Sequence, residues 1–423
     1  MRITFLPVVL IICSVSFAQH PGWTVYNTSN SGLLDDGVGP ITIDDSGNKW
    51  IGSWSGLSKF DGINWTVYTI SNSGLPSKGV QSIAIDRIGN KWVGTDYSGL
   101  SKFDGAKWTM YDTSNSALLS NYVGSIAVDA IGDKWVGTWS EGLYKFDGTN
   151  WTVYITTNSG LPSDLVYSIA IDNNGNKWIG TYGGLAKFDG TNWIVYTTSN
   201  SGLPDKSVYA IAIDANGNKW IGTEFGGLSK FDGTNWLVFN NTNSGLPGYT
   251  VSSIAIDGSG NKWIGTGNGI VKFDDTIWTV YDISNSGLPD NNIQSIAIEG
   301  NGNKWIGTYN GLAVFSGGNS AIKTNKNSSL NALLPLCSNY PNPFKQRTII
   351  SYNVVKNGPV SLRIYTLDGH LVQTLVNARQ TTGHYSVSWD GKNDNGNVMA
   401  HGIYLYQLIS NSGIISKKMN FVE

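Results

Sequence analysis

A six-residue string, NKWIGT or a close variant, occurs seven times between residues 48 and 308. Its tryptophans lie at positions 50, 92, 135, 178, 220, 263 and 305, so the spacing is 42 or 43 residues throughout. A second string, FDGTNWTVY and its variants, repeats with the same period, and a shortened copy, WTVY, stands at residues 23–26. A fixed period of this length is typical of architectures in which each repeat adds one supersecondary unit.

Each repeat contains four short segments of β character. Between Ser168 and Tyr196 they read SIAID, NKWIGT, GLAKFDG and NWIVY. They are rich in β-branched and aromatic residues, and turn-forming Asn, Asp and Gly separate them. No segment has the apolar period of a helix. Four antiparallel strands in about 40 residues predict one blade of a β-propeller.

The two ends of the repeat region predict how the ring closes. The region opens with a lone fourth segment, Trp23–Tyr26, and its last unit stops at Phe315 after only three segments. We therefore predict an all-β fold, a seven-bladed β-propeller whose N-terminal strand completes the last blade and leaves no free sheet edge. The predicted domains are a signal peptide (1–18), the propeller (20–317), a polar linker (318–336) and a small C-terminal β-sandwich (337–423).

The N-terminal residues predict export. Residues 1–18 combine an early arginine, an apolar run and a small-x-small ending, which is typical of a secretory signal removed before Gln19. Ile12 before Cys13 disfavours lipid attachment, and Cys337 is then the single cysteine left. No second apolar stretch is long enough to span a membrane. We expect a secreted or outer-surface protein without a transmembrane segment.

Composition narrows the chemistry. The formal charge of −2 disfavours nucleic acid as a partner. Between residues 21 and 317 there is no His and no Cys, and Arg87 is the one Arg, so catalysis by those side chains is disfavoured. Glu141 and Glu224 occur in one repeat each and keep a carboxylate-dependent glycan-cleaving enzyme open as an alternative. We predict no catalytic residue and no cofactor.

The acids that recur in every repeat have a structural interpretation. Aspartate in tight turns accepts backbone N–H bonds. Calcium is the alternative for oxygen-rich turns such as Asp172–Asn176, which lack the ligand spacing of an EF-hand. We predict no metal site. The recurring acids are Asp86, Asp129, Asp172, Asp214 and Asp257 in one turn, and Asp104, Asp147, Asp189 and Asp232 in another.

Residues that vary between repeats are free to recognise a ligand. Variation concentrates in the turn after WIGT and in the loop that leads to SIAID, and the path of a four-stranded blade brings both to one face of the disc. The candidates in the turns are Trp54, Tyr97, Trp139, Tyr182, Phe225 and Tyr309. Those in the loops are Gln81, Tyr167, Tyr209 and Gln294, with Tyr122 and Tyr249 slightly earlier.

Three interpretations of this aromatic set stay open. The rings could cap the ends of the blades, they could bind another protein, or they could stack on sugars while neighbouring amides and acids pair with hydroxyl groups. We favour an oligosaccharide or glycan-like ligand bound by a non-enzymatic propeller. A structural or adhesive surface protein that binds other proteins is the alternative.

Two family resemblances follow from these motifs. The unit SIAIDxxGNKWIGTxxGLxKFDG resembles the two-component-regulator propeller repeat, which implies an exported sensor-like or stand-alone propeller. The tail, with NYPNPF at 339–344, VSLRIYTLDGHLVQTL, GHYSVSWDGKNDNGN and HGIYLYQL, resembles the C-terminal sorting domain of the type IX secretion system. That resemblance implies the type IX secretion machinery as a partner and delivery to the cell surface or the medium.

Overall fold

The computed structural model describes residues 22–316, 337–354, 356–366, 370–411 and 413–422. The predicted signal peptide and linker lie outside these residues. The chain divides into two compact units, Met1–Ser320 and Ala321–Glu423. The described residues form strands, turns and loops without a helix, so none of them belongs to a helix that could cross a membrane.

Residues 22–316 form seven four-stranded antiparallel sheets, the blades. The first, innermost strands are Val38–Ile43, Val80–Ile85, Val123–Val128, Val166–Ile171, Val208–Ile213, Val251–Ile256 and Ile293–Ile298. The second strands are Lys49–Ser53, Lys91–Thr95, Lys134–Thr138, Lys177–Thr181, Lys219–Thr223, Lys262–Thr266 and Lys304–Thr308. The third strands are Gly56–Phe60, Leu100–Phe103, Leu143–Phe146, Gly184–Phe188, Leu228–Phe231, Gly269–Phe273 and Gly311–Phe315. The fourth strands are Trp65–Tyr68, Trp108–Tyr111, Trp151–Tyr154, Trp193–Tyr196, Trp236–Phe239 and Trp278–Tyr281, with Trp23–Tyr26 in blade 7.

The predicted closure of the ring is confirmed. Trp23–Tyr26 runs antiparallel to Gly311–Phe315, with Trp23 opposite Phe315 and Tyr26 opposite Leu312. The seventh sheet therefore combines the first strand of the propeller with its last three.

The hydrophobic core lies between neighbouring blades. One cluster joins Trp50 and Leu57 of blade 1 to Val80, Val93 and Phe103 of blade 2, and the same arrangement recurs around the ring. The second-strand tryptophans are at most 4% exposed, and they fill the layers between blades. The fourth-strand tryptophans of blades 1 to 6 are only half-buried, because each lies on the outer edge of its blade.

Electrostatic contacts reinforce the same interfaces. The lysine that begins each second strand places its ammonium group 4.6 to 4.9 Å from the ring centroid of the preceding blade's core tryptophan. A buried ammonium over an indole face is a favourable cation–π contact. At the seam between blades 7 and 1, Lys49 also forms a 2.7 Å ion pair with Glu299.

The recurring aspartates have the structural role predicted for them. The Asp172 carboxylate accepts the backbone N–H groups of Asn174 and Asn176 at 3.0 and 2.9 Å. It also accepts the indole N–H of Trp178 at 3.0 Å, a bond that fixes the core ring and that recurs in the other blades. Each acid thus links a turn to the hydrophobic layer.

The C-terminal unit is a small two-sheet domain. Its strands are Cys337–Tyr340, Thr348–Val354, Gly358–Thr366, Leu371–Gln380, Gly383–Trp389, Gly402–Ser410 and Gly413–Phe421. The first, second and fifth form one sheet, and the other four form the second. Trp389, fully buried between Phe344 and Tyr404, is at the centre of the core.

Candidate functional site

The turns between second and third strands and the loops between blades form one continuous surface, which we call the variable face. Backbone bonds join the two sets: the N–H of Asp96 donates to the carbonyl of Gly79, and the N–H of Glu224 donates to that of Ser207. The convergence of the two variable segments expected from the repeat is therefore present in the folded chain.

The turns present their side chains at two distinct positions. The residue directly after the Ser or Thr that ends each second strand lies beside the start of the inner strands, where the loops approach the channel mouth. Tyr97 and Phe225 come one residue later, and they are 77% and 66% exposed. From blade 1 to blade 7, the residues at the first position are Trp54, Asp96, Trp139, Tyr182, Glu224, Gly267 and Tyr309.

A cavity of about 250 Å³ opens at the mouth between blades 7, 1 and 2. Four of the predicted ligand-binding residues line it: Trp54, Tyr309, Gln81 and Gln294. Trp54 and Tyr309 remain about half exposed, at 55% and 50%, so ring surface is accessible there. The remaining lining residues are Gly37, Val38, Gly39, Pro40, Ser53, Val80 and Ser295.

The cavity lies beside a glycine of blade 1, at a strand position where four of the other blades have a Gln or Tyr side chain. Gly39 is the residue after the first valine of its inner strand, and Tyr167 and Tyr209 occupy that position in blades 4 and 5. A Cβ at Gly39 would lie 3.5 Å from its nearest neighbour, the carbonyl oxygen of Gly52. Gly39 could not be identified as part of a site from the sequence, because a glycine inside a strand commonly marks only a local bulge or bend.

On blades 3 to 5 the mouth is occupied by connected rings, which we call the aromatic cluster. Tyr122 stacks on Trp139 with centroids 4.4 Å apart. Trp139 meets Tyr167 edge to face at 6.1 Å, and Tyr167 meets Tyr209 edge to face at 4.9 Å. Four predicted site residues thus support one another here, rather than standing as separate caps.

Carboxylates lie next to the aromatic cluster and contribute to the raised pKa of its tyrosine hydroxyl groups. Burial, and then the hydrogen bond that Tyr209 donates to Glu224, raise the pKa of Tyr209 above its usual range. Burial, and then the nearby Asp96 charge, raise the pKa of Tyr122 to about 12. Both phenols are therefore neutral hydrogen-bond donors at physiological pH.

Besides Tyr97 and Phe225, two further predicted aromatics lie outside the cavity and the cluster. Tyr182 is 43% exposed, and the ammonium group of Lys206 lies 4.3 Å from its ring centroid. Tyr249 is 54% exposed, and its carbonyl oxygen accepts a bond from the N–H of Gly227.

The variable face carries most of the negative charge of the propeller. The turns and loops that form it contain two lysines, Lys78 and Lys206. Residues 22–316 outside this face contain nearly equal numbers of acidic and basic side chains. The ten carboxylates of the face belong to Asp35, Asp36, Asp96, Asp112, Glu141, Asp164, Asp205, Glu224, Asp282 and Asp290.

The two glutamates considered for catalysis have separate surroundings. Glu224 accepts the Tyr209 hydrogen bond, whereas the backbone N–H of Glu141 bonds the Thr138 hydroxyl at 3.1 Å. Among the described residues, no group of three or more His, Cys, Asp or Glu side chains is arranged to hold a metal ion.

Two family models match parts of the chain. The two component regulator propeller model matches residues 160–183 and 202–225, and the FlgD Ig-like domain model matches residues 351–413. The chain thus contains two-component regulator propeller repeats and an FlgD Ig-like domain. No curated protein matches the sequence.

Solved structures share the fold. The extracellular domain of the hybrid two component system BT3049 from B. thetaiotaomicron is 20% identical with a TM-score of 0.62, over 95% of this chain and 57% of that one. PorZ, a surface component of the type-IX secretion system of Porphyromonas gingivalis, is 19% identical with a TM-score of 0.55, over 94% and 60%. Virginiamycin B lyase from Staphylococcus aureus is 14% identical with a TM-score of 0.58, over 69% and 98%.

The chain spans less than two thirds of the BT3049 and PorZ structures. At these identities the likeness extends to the fold and not to a ligand or a reaction.

Proposed function

We propose that this protein is an exported, non-enzymatic recognition module that binds an oligosaccharide at the channel mouth of the variable face. The observation that carries the proposal is the cavity between Trp54 and Tyr309, which has the carboxamides of Gln81 and Gln294 on its wall. Aromatic rings bind the C–H faces of sugars, and a carboxamide can both donate to and accept from a hydroxyl group.

The size and lining of the cavity suit one or two sugar rings rather than a long polymer segment. About 250 Å³ is near the lower end for a small-molecule site, and the lining has no charged side chain. Stacking on each ring contributes about 0.5 to 1.5 kcal/mol beyond the burial of area. The aromatic cluster gives a longer glycan further contacts at the same mouth.

A binding role fits the chemistry of the mouth better than turnover. The propeller sequence provides no His or Cys between residues 21 and 317, and Glu224 is engaged by Tyr209. The fold also occurs in the lyase from S. aureus, so an enzyme remains the competing hypothesis. It predicts release of sugar products that is lost in Glu141→Gln or Glu224→Gln.

A substitution that fills the cavity tests the binding proposal. The full chain is screened against a panel of oligosaccharides, and the affinity of the best ligand is measured by calorimetry. We expect Gly39→Tyr to abolish binding, because it places in blade 1 the residue that blades 4 and 5 already carry. Gly39→Ala is the matched control and should bind normally, since its Cβ has room at 3.5 Å.

The aromatic walls provide an independent test. Trp54→Ala should weaken the same ligand about tenfold, the upper range for one stacking contact. Ile88→Ala, on an 84% exposed residue of a first-to-second-strand turn on the opposite face, should leave the affinity unchanged. An affinity that survives both Trp54→Ala and Gly39→Tyr would remove the cavity as the binding site.

A protein partner is the second candidate function. The observation favouring it is the exposure of Tyr97 and Phe225, which project from four-residue turns. Affinity capture from the envelope of the producing cell, repeated with a Tyr97→Ala and Phe225→Ala double variant, separates this function from sugar binding. Loss of one captured protein in the double variant alone would favour it.

Export through the C-terminal domain is the remaining part of the proposal. The sequence motifs of the tail and the similarity to PorZ support delivery by a type IX system to the cell surface or the medium. A reporter fused to residues 318–423 should reach the medium of a bacterium that has this system and remain inside a strain that lacks it. The intact mass of the exported product then tells whether the tail is removed.

A further inference from the structure

The asymmetric charge of the propeller points to a ligand property that the aromatic rings alone do not specify. The variable face holds ten carboxylates against two lysines, whereas the rest of residues 22–316 is nearly neutral. A binding surface whose charges have one sign attracts ligands of the opposite charge and repels ligands of the same charge. We propose that the variable face binds a cationic glycan, an oligosaccharide whose sugar rings carry free amino groups. This inference rests on the proposed function.

Carboxylates stand beside the rings that would contact such a ligand. The N–H groups of Glu224 and Asp96 bond the carbonyls of Ser207 and Gly79 in the loops that lead to the inner strands. After burial, the Glu224 carboxylate is a cause of the raised pKa of Tyr209 and Tyr167, and the Asp96 carboxylate of that of Tyr122. A ring face next to a carboxylate is a favourable place for an ammonium group, because the quadrupole of the ring and the full charge of the acid attract it together.

The propeller already contains ammonium groups that lie over aromatic rings. The ammonium group of Lys206 lies 4.3 Å from the centroid of Tyr182, at the first turn position of blade 4. Between blades, ammonium groups lie 4.6 to 4.9 Å from tryptophan centroids, with carboxylates such as Asp44 and Asp257 close by. Trp54 and Trp139 place the same kind of ring at the mouth. Among the described residues, no lysine ammonium group lies over either of these two rings.

A glycan fits the mouth better than a basic polypeptide. The cavity has ring walls on Trp54 and Tyr309, and its polar side chains are carboxamides and serine hydroxyls without a charge, so it suits hydroxyl groups on a flat ring. The carboxylates lie around the cavity rather than in it. This arrangement matches a ligand that alternates apolar ring faces and hydroxyls with amino groups at its edge.

Three oligosaccharides that differ at one ring position test the inference. The full chain is titrated with β-1,4-linked hexamers of glucosamine, N-acetylglucosamine and glucose at mildly acidic pH, where the glucosamine amino groups are charged. We expect the glucosamine hexamer to bind about tenfold more tightly than either neutral hexamer. We also expect that preference to fall as salt is added, because screening weakens exposed charge pairs.

Charge-neutral variants locate the effect. Glu224→Gln keeps a hydrogen-bonding group for Tyr209, and it should reduce the preference for glucosamine over the neutral hexamers several-fold. Asp45→Asn, an exposed acid in a first-to-second-strand turn on the opposite face, is the matched control and should change nothing.

The outcomes separate this inference from the proposed function. Equal affinity for the charged and neutral hexamers would overturn the cationic ligand and leave oligosaccharide binding standing. Binding of none of the three hexamers would overturn the inference, and so would binding of oligolysine in preference to all of them. In the last case the partner is a basic polypeptide.

Discussion

The seam of the propeller depends on one tryptophan, and its removal should open the ring. Trp23 is 7% exposed, stacks on Phe315 with centroids 4.7 Å apart and meets Tyr281 edge to face at 5.9 Å. Its four-residue strand is held by antiparallel pairing with Gly311–Phe315, by these contacts to blades 7 and 6, and by the stacking of Tyr26 on Trp305 at 6.1 Å. The perturbation is Trp23→Ala.

The expected cost follows from the burial. Truncating a buried tryptophan to alanine destabilises a protein by about 3 to 5 kcal/mol. In the wild type these contacts oppose release of the strand. Because Trp23→Ala removes them, the population of the open ring should rise by about a hundredfold or more. The open form exposes the edge of Gly311–Phe315, a strand that otherwise has partners on both sides.

Trp193→Ala is the matched control. Trp193 occupies the same strand position in blade 4, stacks on Phe188 at 4.4 Å and meets Tyr154 of blade 3 edge to face at 5.7 Å. Its partner is in the same hairpin, so truncation should loosen one blade edge without opening the ring. The decisive difference is that 291 residues separate Trp23 from Phe315.

Native-state hydrogen exchange distinguishes the two variants. In Trp23→Ala, the amides of Gly311–Phe315 should exchange at least a hundredfold faster, while those of the middle blades keep their protection. In Trp193→Ala, the amides of Gly311–Phe315 should exchange at the wild-type rate. Equal exchange along the seam in the two variants, or a cost below about 1 kcal/mol for Trp23→Ala, would refute the reasoning.

Two further perturbations address single contacts. Burial alone would raise the pKa of Glu299, but the hydrogen bonds from Lys49 and Trp305 and the charge of Lys49 together outweigh it and hold the pKa below the ordinary 4.5. The stability from this carboxylate is therefore present above pH 4.5 and is lost as the pH falls through the lower folded value, so acid denaturation of Glu299→Gln should be less steep. The buried hydroxyl of Tyr144 accepts the backbone N–H of Leu119 at 3.1 Å, so Tyr144→Phe should cost about 1 to 3 kcal/mol by denaturant unfolding.

Most of the fold could be predicted from the sequence, because the same four-strand pattern occurs seven times. Strand number, closure at Trp23–Tyr26 and the burial of the second-strand tryptophans all follow from period and counting. The lysine contacts between blades were not predicted. Lys91, for example, contacts Trp50 from the next repeat, and no spacing within one repeat reveals a pairing between blades.

The candidate site was predictable only as a list of residues on one face. The grouping into a cavity and an aromatic cluster depends on side-chain direction. Tyr97 and Trp139 both follow the WIGT-type string, yet one is 77% exposed and the other stacks on Tyr122. The four-residue turn of blade 2 begins with Asp96, so its aromatic residue comes second, whereas Trp139 comes first in a turn of the same length.

Two glycines at the same strand position have opposite effects, which is why the cavity could not be predicted from either one. In blade 3 a Cβ at Gly124 would lie 2.5 Å from the indole nitrogen of Trp139, so this glycine makes room for a ring that fills the mouth. In blade 1 the nearest atom to a Cβ at Gly39 is a carbonyl oxygen, and Trp54 lies instead 3.4 Å from the equivalent point at Gly37. The displaced ring leaves the space beside Gly39 open. A ligand that enters it therefore meets Trp54 as a wall, and the ligand can stack there without first displacing a side chain.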